Sequence, residues 1–204
     1  MASRSRGACS LVTEKGVSVR LFVAINIPED IRAAFAALRK EFCGIAPQAK
    51  WVRPENLHVT MKFLGETNPA KLEVLQGALA SIRSDQPVKL EFRGLGFFPN
   101  EKRPRVFWAG MEASPNLKTL AADIDQSVDR LGFPLEERSF TPHLTLARFQ
   151  PPGVAPKLLE AIRARDTESF GSFATADFHL IESKLKSTGA EYTTVQTVRF
   201  APEA

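Results

Sequence analysis

Cysteine is scarce in these 204 residues, which contain Cys9 and Cys43 and no other. Two thiols so far apart make no disulfide framework, and neither stands in a Cys-x-x-Cys pair, so a reducing, cytoplasmic setting is expected. Histidine is nearly as rare, with only His58, His143 and His179. They form no His-Glu-x-x-His run, and the ligand spacing of a metal hydrolase is missing. A Gly-x-Ser-x-Gly nucleophile elbow is absent, as is the glycine-rich loop that cradles nucleoside triphosphates. No apolar stretch is long enough for a membrane span or a secretory signal. The sequence thus implies no cofactor, no metal and no membrane contact.

What is present is a globular composition: 44% hydrophobic, 25% charged, and fifteen Phe against one Tyr. The length suits one large domain or two small lobes. A net charge of +4 and a pI near 9.2 suit a polyanionic partner and a merely basic surface about equally well. Residues 1–16 read as a loose polar tail and 17–204 as the folded unit, expected as a monomer.

From Arg20 to Ile25 the chain is a dense apolar run suited to a buried strand. Pro28-Glu29-Asp30 then supplies helix-start chemistry, and Ile31, Phe35, Leu38 and Phe42 follow at helical spacing. A second helix is expected after Asn68-Pro69, a third after Ser114-Pro115, and a short fourth through Leu158, Leu159 and Ile162 beyond the Pro151-Pro152-Gly153 break. Strands are expected at 58–65, 88–98 (with a bend or bulge at Gly94 and Gly96), 105–109, 143–148, 176–185 and 192–200. The polar turn from Pro99 to Pro104 is the expected boundary between halves.

Two of these strands carry the same motif, His58-Val-Thr60-Met and His143-Leu-Thr145-Leu. Alternation with period two puts each His and its Thr on the face opposite the aliphatic residues. Arg20 stands as far ahead of His58 as Arg105 does of His143, and at that shift Phe22 falls on Phe107 and Ala24 on Ala109. The chain is therefore an internal repeat of about 20–98 and 105–185, matched in architecture and at a few strand positions. One His-x-Thr in a strand is commonplace; two in register suggest a shared cleft. There one imidazole can deprotonate a nucleophile while the other protonates a leaving oxygen, with the Thr hydroxyls on phosphate oxygens. His179 has no such motif and is read as structural or superficial.

With their flanks, Arg20-Leu-Phe-Val-Ala-Ile25, His58-Val-Thr-Met-Lys-Phe-Leu-Gly65, Arg105-Val-Phe-Trp-Ala-Gly110, Pro142-His-Leu-Thr-Leu-Ala-Arg148 and Gly189-Ala-Glu-Tyr192 resemble the 2H phosphoesterase superfamily. More narrowly, they resemble its RNA 2′,3′-cyclic phosphodiesterases, historically called 2′-5′ RNA ligases. That resemblance covers most of residues 20–200. It implies an α+β, bilobal fold: two pseudo-symmetric lobes, mainly antiparallel sheets, helices outside and a central cleft carrying both motifs. It further implies metal-free hydrolysis of a terminal RNA 2′,3′-cyclic phosphate to a 2′-phosphate, with 2′-5′ RNA ligation as a side activity. His58 would be the proton donor, His143 the proton acceptor, and Thr60 and Thr145 phosphate ligands.

Arg148 matches a family position for phosphate contact, yet strict alternation turns it away from His143 unless a bulge or twist intervenes. Lys62 shares parity with His58 and is either a site residue or a solvated strand-end lysine. Phe63, Phe149, Trp51 and Tyr192 could each stack a terminal base but read first as core packing, with Tyr192 and Trp51 the better stacking candidates. Rival readings are a phosphodiesterase for small cyclic nucleotides or 2′-5′ oligonucleotides, and a noncatalytic RNA-binding module.

Overall fold

A computed structural model of the protein describes residues 18–150, 156–165, 167–187 and 189–202, and nine strands and four α-helices lie among those described residues. The 1–16 tail and the Pro151-Pro152-Gly153 break lie outside the described residues. In chain order the elements are β1 (Val19–Asn26), α1 (Glu29–Ile45), β2 (Lys50–Trp51), β3 (His58–Thr67), α2 (Leu72–Ala80), β4 (Val88–Phe98) and β5 (Val106–Ala113). There follow α3 (Asn116–Asp129), β6 (His143–Arg148), α4 (Pro156–Arg163), β7 (Ser169–Thr175), β8 (Asp177–Lys186) and β9 (Gly189–Arg199).

Helix α1 starts after Pro28 with Glu29 and Asp30 in its first turn, where negative charge offsets the exposed amide dipoles. Its apolar stripe of Ile31, Phe35, Leu38 and Phe42 is buried against the sheet. Before α2, the Asn68 side chain accepts a hydrogen bond from the Ala70 amide at 2.9 Å, capping the turn that Pro69 opens. Leu117, Leu120, Ile124 and Val128 do for α3 what the Phe and Leu stripe does for α1, and Gly132 at φ 84° reverses the chain after it.

All strand pairs are antiparallel, and the strands lie in the order β7-β4-β5-β6-β3-β1-β8-β9, with β2 added beside β6. Read from either end, that order carries the same pattern about the β6/β3 boundary: β5 matches β1, β4 matches β8, and β7 matches β9. Each lobe therefore borrows strands from the other half of the sequence. The Pro99 to Pro104 turn joins β4 to β5 as a hairpin within one lobe, with Phe98 opposite Val106. The lobes thus do not divide at that turn, where the sequence placed the boundary. β2 and β7 were not anticipated, being too short or too polar for the alternation to register.

The lobes meet at one bridge, Val59 opposite Leu144, both fully buried. One continuous apolar core runs under the whole sheet between it and the helices, and includes Phe35, Phe42, Phe92, Phe107 and Phe178. A small second cluster of Phe22, Ala24 and Ile181, with Tyr192 packed on it, lies apart from that core, beside His58. For Tyr192 on β9 to meet His58 on β3, the sheet must curl across β1 and β8. Among the described residues, no helix is long and apolar enough to cross a membrane.

Candidate active site

The Val59–Leu144 bridge fixes the site. Extending that antiparallel register by one residue each way sets His58 beside Thr145 and Thr60 beside His143, all four on the face opposite the buried pair. The two histidines then sit on a diagonal of the ladder, with Cα atoms about 8 Å apart, wide enough for a phosphate between the rings.

Each imidazole is oriented in the same way. His58 Nδ1 lies 2.8 Å from the Asn56 carbonyl oxygen, and His143 Nδ1 lies 2.9 Å from that of Thr141. A carbonyl oxygen only accepts, so Nδ1 carries the proton in both rings, and Nε2 is left as the atom that takes up or gives a proton. Asn56 is held in turn by its side-chain amide, which donates to the Ala190 carbonyl at 2.8 Å, two residues before Tyr192.

Aromatic rings flank both histidines. His58 packs between Phe22, at 4.7 Å, and Tyr192, edge-on at 5.4 Å. His143 meets Phe98 edge-on at 5.0 Å, and Phe98 leans on Trp108. Trp108 has room only because Gly96 faces it: a Cβ there would lie 2.5 Å from the indole. Burial lowers the pKa of His58 below its ordinary 6.5; the Asn56 hydrogen bond opposes this, and the Arg148 and His143 charges add to it. Tyr192 is raised, first by burial, with Arg148 and Arg20 pulling the other way.

Strict alternation misplaces two residues here, because both motif strands carry a bulge directly after Thr. On β3, Ala24 pairs with Thr60 and Val23 with Lys62, so Met61 is the extra residue. On β6, Trp108 pairs with Thr145 and Phe107 with Ala147, so Leu146 is extra. Met61 and Lys62 are consequently both buried, as are Leu146 and Ala147, and parity flips beyond them. Arg148 thereby returns to the His face, exposed and without an ion pair among the described residues. Its charge acts on both His58 and Tyr192.

The same bulge sends Lys62 inward, against both expectations for it. Its side chain is 2% exposed, with Nζ 2.5 Å from Asp125 on α3 and 2.6 Å from the Pro134 carbonyl. Phe63 takes the position on β3 that Arg148 holds on β6 and is 56% exposed, so the core reading of Phe63 is corrected too. Phe149 is core as expected, against Phe97. Trp51 is also committed to the core, with its ring against Phe42 and Phe107 and Nε1 donating to the Ala46 carbonyl at 3.0 Å. That placement does not present Trp51 as a stacking ring, and Phe22, Phe98 and Trp108, which the sequence reading missed as site residues, line the His face instead. His179 bonds Thr197 across β8 and β9. Among the described residues, no three of His, Cys, Asp or Glu group as a metal site.

The family model described as LigT-like phosphoesterase matches residues 25–108 and 111–192. The chain belongs to that family. An RNA 2′,3′-cyclic phosphodiesterase of Archaeoglobus fulgidus is 36% identical over 174 residues, 85% of this chain and 96% of its own length. One from Methanocaldococcus jannaschii is 36% identical over 180 residues, covering 87% of this chain and 99% of the relative. Among solved structures, LigT of E. coli complexed with 3′-AMP superposes with a TM-score of 0.72 at 28% identity, covering 89% of this chain and 97% of that one. LigT-like phosphoesterases thus share this chain's fold over nearly its whole described length.

Proposed function

We propose that this protein hydrolyses the 2′,3′-cyclic phosphate at the end of an RNA to a 2′-phosphate, by acid and base catalysis from its two histidines. The observation that carries the reading is the matched pair of Nδ1–H bonds to the Asn56 and Thr141 carbonyls, which leaves two Nε2 atoms on one face with a Thr hydroxyl beside each. The curated relatives named for this activity support the substrate.

In this mechanism Nε2 of His143 takes a proton from water as the water oxygen attacks phosphorus. The P–O3′ bond breaks, and Nε2–H of His58 gives its proton to O3′. Thr60, Thr145 and the unpaired Arg148 guanidinium hold the nonbridging oxygens as charge gathers on them. Tyr192, against Phe22 and His58, is the ring that stacks the terminal base. The depressed pKa leaves His58 neutral in the free protein near pH 7. An anionic phosphate offsets the Arg148 and His143 charges and so brings His58 its proton along with the substrate. A 5′-hydroxyl in place of water gives a 2′-5′ linkage by the same bond changes.

The test is product analysis on an RNA ending in 2′,3′-cyclic phosphate, with and without EDTA. A 2′-phosphate formed at the same rate in both supports the mechanism. A 3′-phosphate would exchange the roles of His58 and His143, and no conversion would refute the reading.

A further inference from the structure

The ladder that carries the two motifs continues past them. Beyond the His58 and Thr145 rung, β2 takes the place of β3 beside β6, with Trp51 opposite Ala147 and Lys50 opposite Arg148. Trp51 and Ala147 face the core, so Lys50 and Arg148 stand together on the His face, both exposed. They lie two ladder steps beyond Thr145, about 7 Å along the strand. Side chains directly opposite each other approach to about 5 Å, and two positive charges so placed repel. Neither has an ion pair among the described residues. An anion shared by the two would turn that repulsion into attraction.

The other end of the site is built differently. There residues 134–142 pair with no strand, and a cavity of about 460 Å³ lies between them, β3 and α3. Asp125 and Glu136 stand in its wall along with Lys118 and Arg138, so both signs of charge meet there. At the Lys50 end the backbone is closed, with about 10 Å³ left beneath β2, and the two cations are presented on the open face above it.

The chemistry of the substrate says which anion belongs at that rung. In-line displacement puts the leaving O3′, and with it the ribose of the cyclic end, on the His58 side of phosphorus. From that ribose the base turns to Tyr192, and C5′ leads on past His58 toward Lys50. We propose that Lys50 binds the phosphodiester on the 5′ side of the terminal nucleotide, with Arg148 between it and the cyclic phosphate. Lys50 thereby sets a preference for an RNA end over a free nucleoside cyclic phosphate. This rests on the reaction proposed above. The spacing fits, because successive phosphates of one strand lie about as far apart as the Thr145 and Arg148 rungs. The Lys50 ammonium acts there as a point charge with three donors, and no bond is made or broken at it.

Full-length protein is given three substrates: adenosine 2′,3′-cyclic phosphate with a free 5′-hydroxyl, the same nucleotide with a 5′-phosphate, and a short RNA ending in that cyclic phosphate. Hydrolysis is read as kcat/KM for each, at low and at high salt. The wild type should favour the two substrates that carry an upstream phosphate by about tenfold, and salt should shrink the margin. Lys50→Ala should bring the margin close to one, and Lys50→Arg should restore it. Lys157→Ala, exposed on α4, controls for net charge and should leave the margin as it is. Because a repelling pair is relieved, Lys50→Ala should melt no lower than the wild type. A wild type indifferent to the upstream phosphate would overturn the proposal, as would a margin that survives Lys50→Ala. So would a loss shared equally by all three substrates, or a lowered melting temperature in that variant, which marks Lys50 as a structural part of β2. If the wild type opens none of the three, the reaction itself is refuted and the assignment falls with it.

Discussion

The chain approaches its two His-x-Thr strands in different ways. Before His58, residues 50–51 zip onto β6, and Trp51 seals the space beneath them. Before His143, the matching segment pairs with no strand and is held by side chains: buried Lys62 grips the Pro134 carbonyl and Asp125, and Phe140 packs on the core. Asp125 in turn accepts from the Glu136 amide at 3.1 Å. Both approaches end in the same result, a carbonyl two residues ahead of the histidine that fixes its tautomer. A strand pairing leaves no room, whereas an ionic clamp holds the backbone and leaves a cavity. Repeated halves thus keep the two imidazoles oriented alike while the surroundings diverge.

The largest effect should come from the part the halves share. His58→Ala and His143→Ala should each lower hydrolysis of the cyclic phosphate by about 10²- to 10⁴-fold, read from kcat at saturating substrate. If one of them costs nothing, the halves are not catalytic equals and the pairing fails.

Next comes the clamp. Lys62→Met strands Asp125 and frees residues 134–142, and should cost about 3 to 5 kcal/mol in urea unfolding. Adding Asp125→Leu should recover much of that, because an apolar pair leaves no unpaired charge. A loss under about 1 kcal/mol for Lys62→Met would mean that the ion pair does not hold the segment. Trp51→Ala, on the sealed side, should cost somewhat less, about 2 to 3 kcal/mol, since the ring is only half-buried. It should also open at the His58 end a gap like the one already present at the other.

Both motifs, the face they share and all four helices were legible from the sequence, because periodicity and cap chemistry are local signals. The bulges after Thr60 and Thr145 were not. They arise from how β3 registers against β1 and β6 against β5, and a strand does not announce its neighbours. One missed bulge per strand was enough to mis-aim Lys62 and leave Arg148 undecided. The exchange of strands between lobes escaped for the same reason: β4 reads as the end of the first half and pairs with the start of the second. Trp51 read as a candidate stacking ring because nothing local shows that β2 will cover Phe107.

The smallest effect separates the two histidines themselves. His58 sits under Phe22 and Tyr192, and its pKa falls below 6.5 chiefly through burial. The unfolded chain therefore binds a proton more readily than the folded one in the interval just below pH 6.5. Stability must decline as pH drops through that interval, and level off for this group once the folded form also protonates. His179, also lowered first by burial, contributes in the same direction, so the comparison is made in a His179→Asn background. There, replacing His58 by Asn should flatten the fall in melting temperature between pH 7 and 5. Inorganic phosphate should act in the opposite sense on the intact site: an anion beside Arg148 and His143 favours the imidazolium, so the His58 ring resonances should titrate at higher pH as phosphate is added. A His58 titration indifferent to phosphate would mean that the anion does not sit between the two rings.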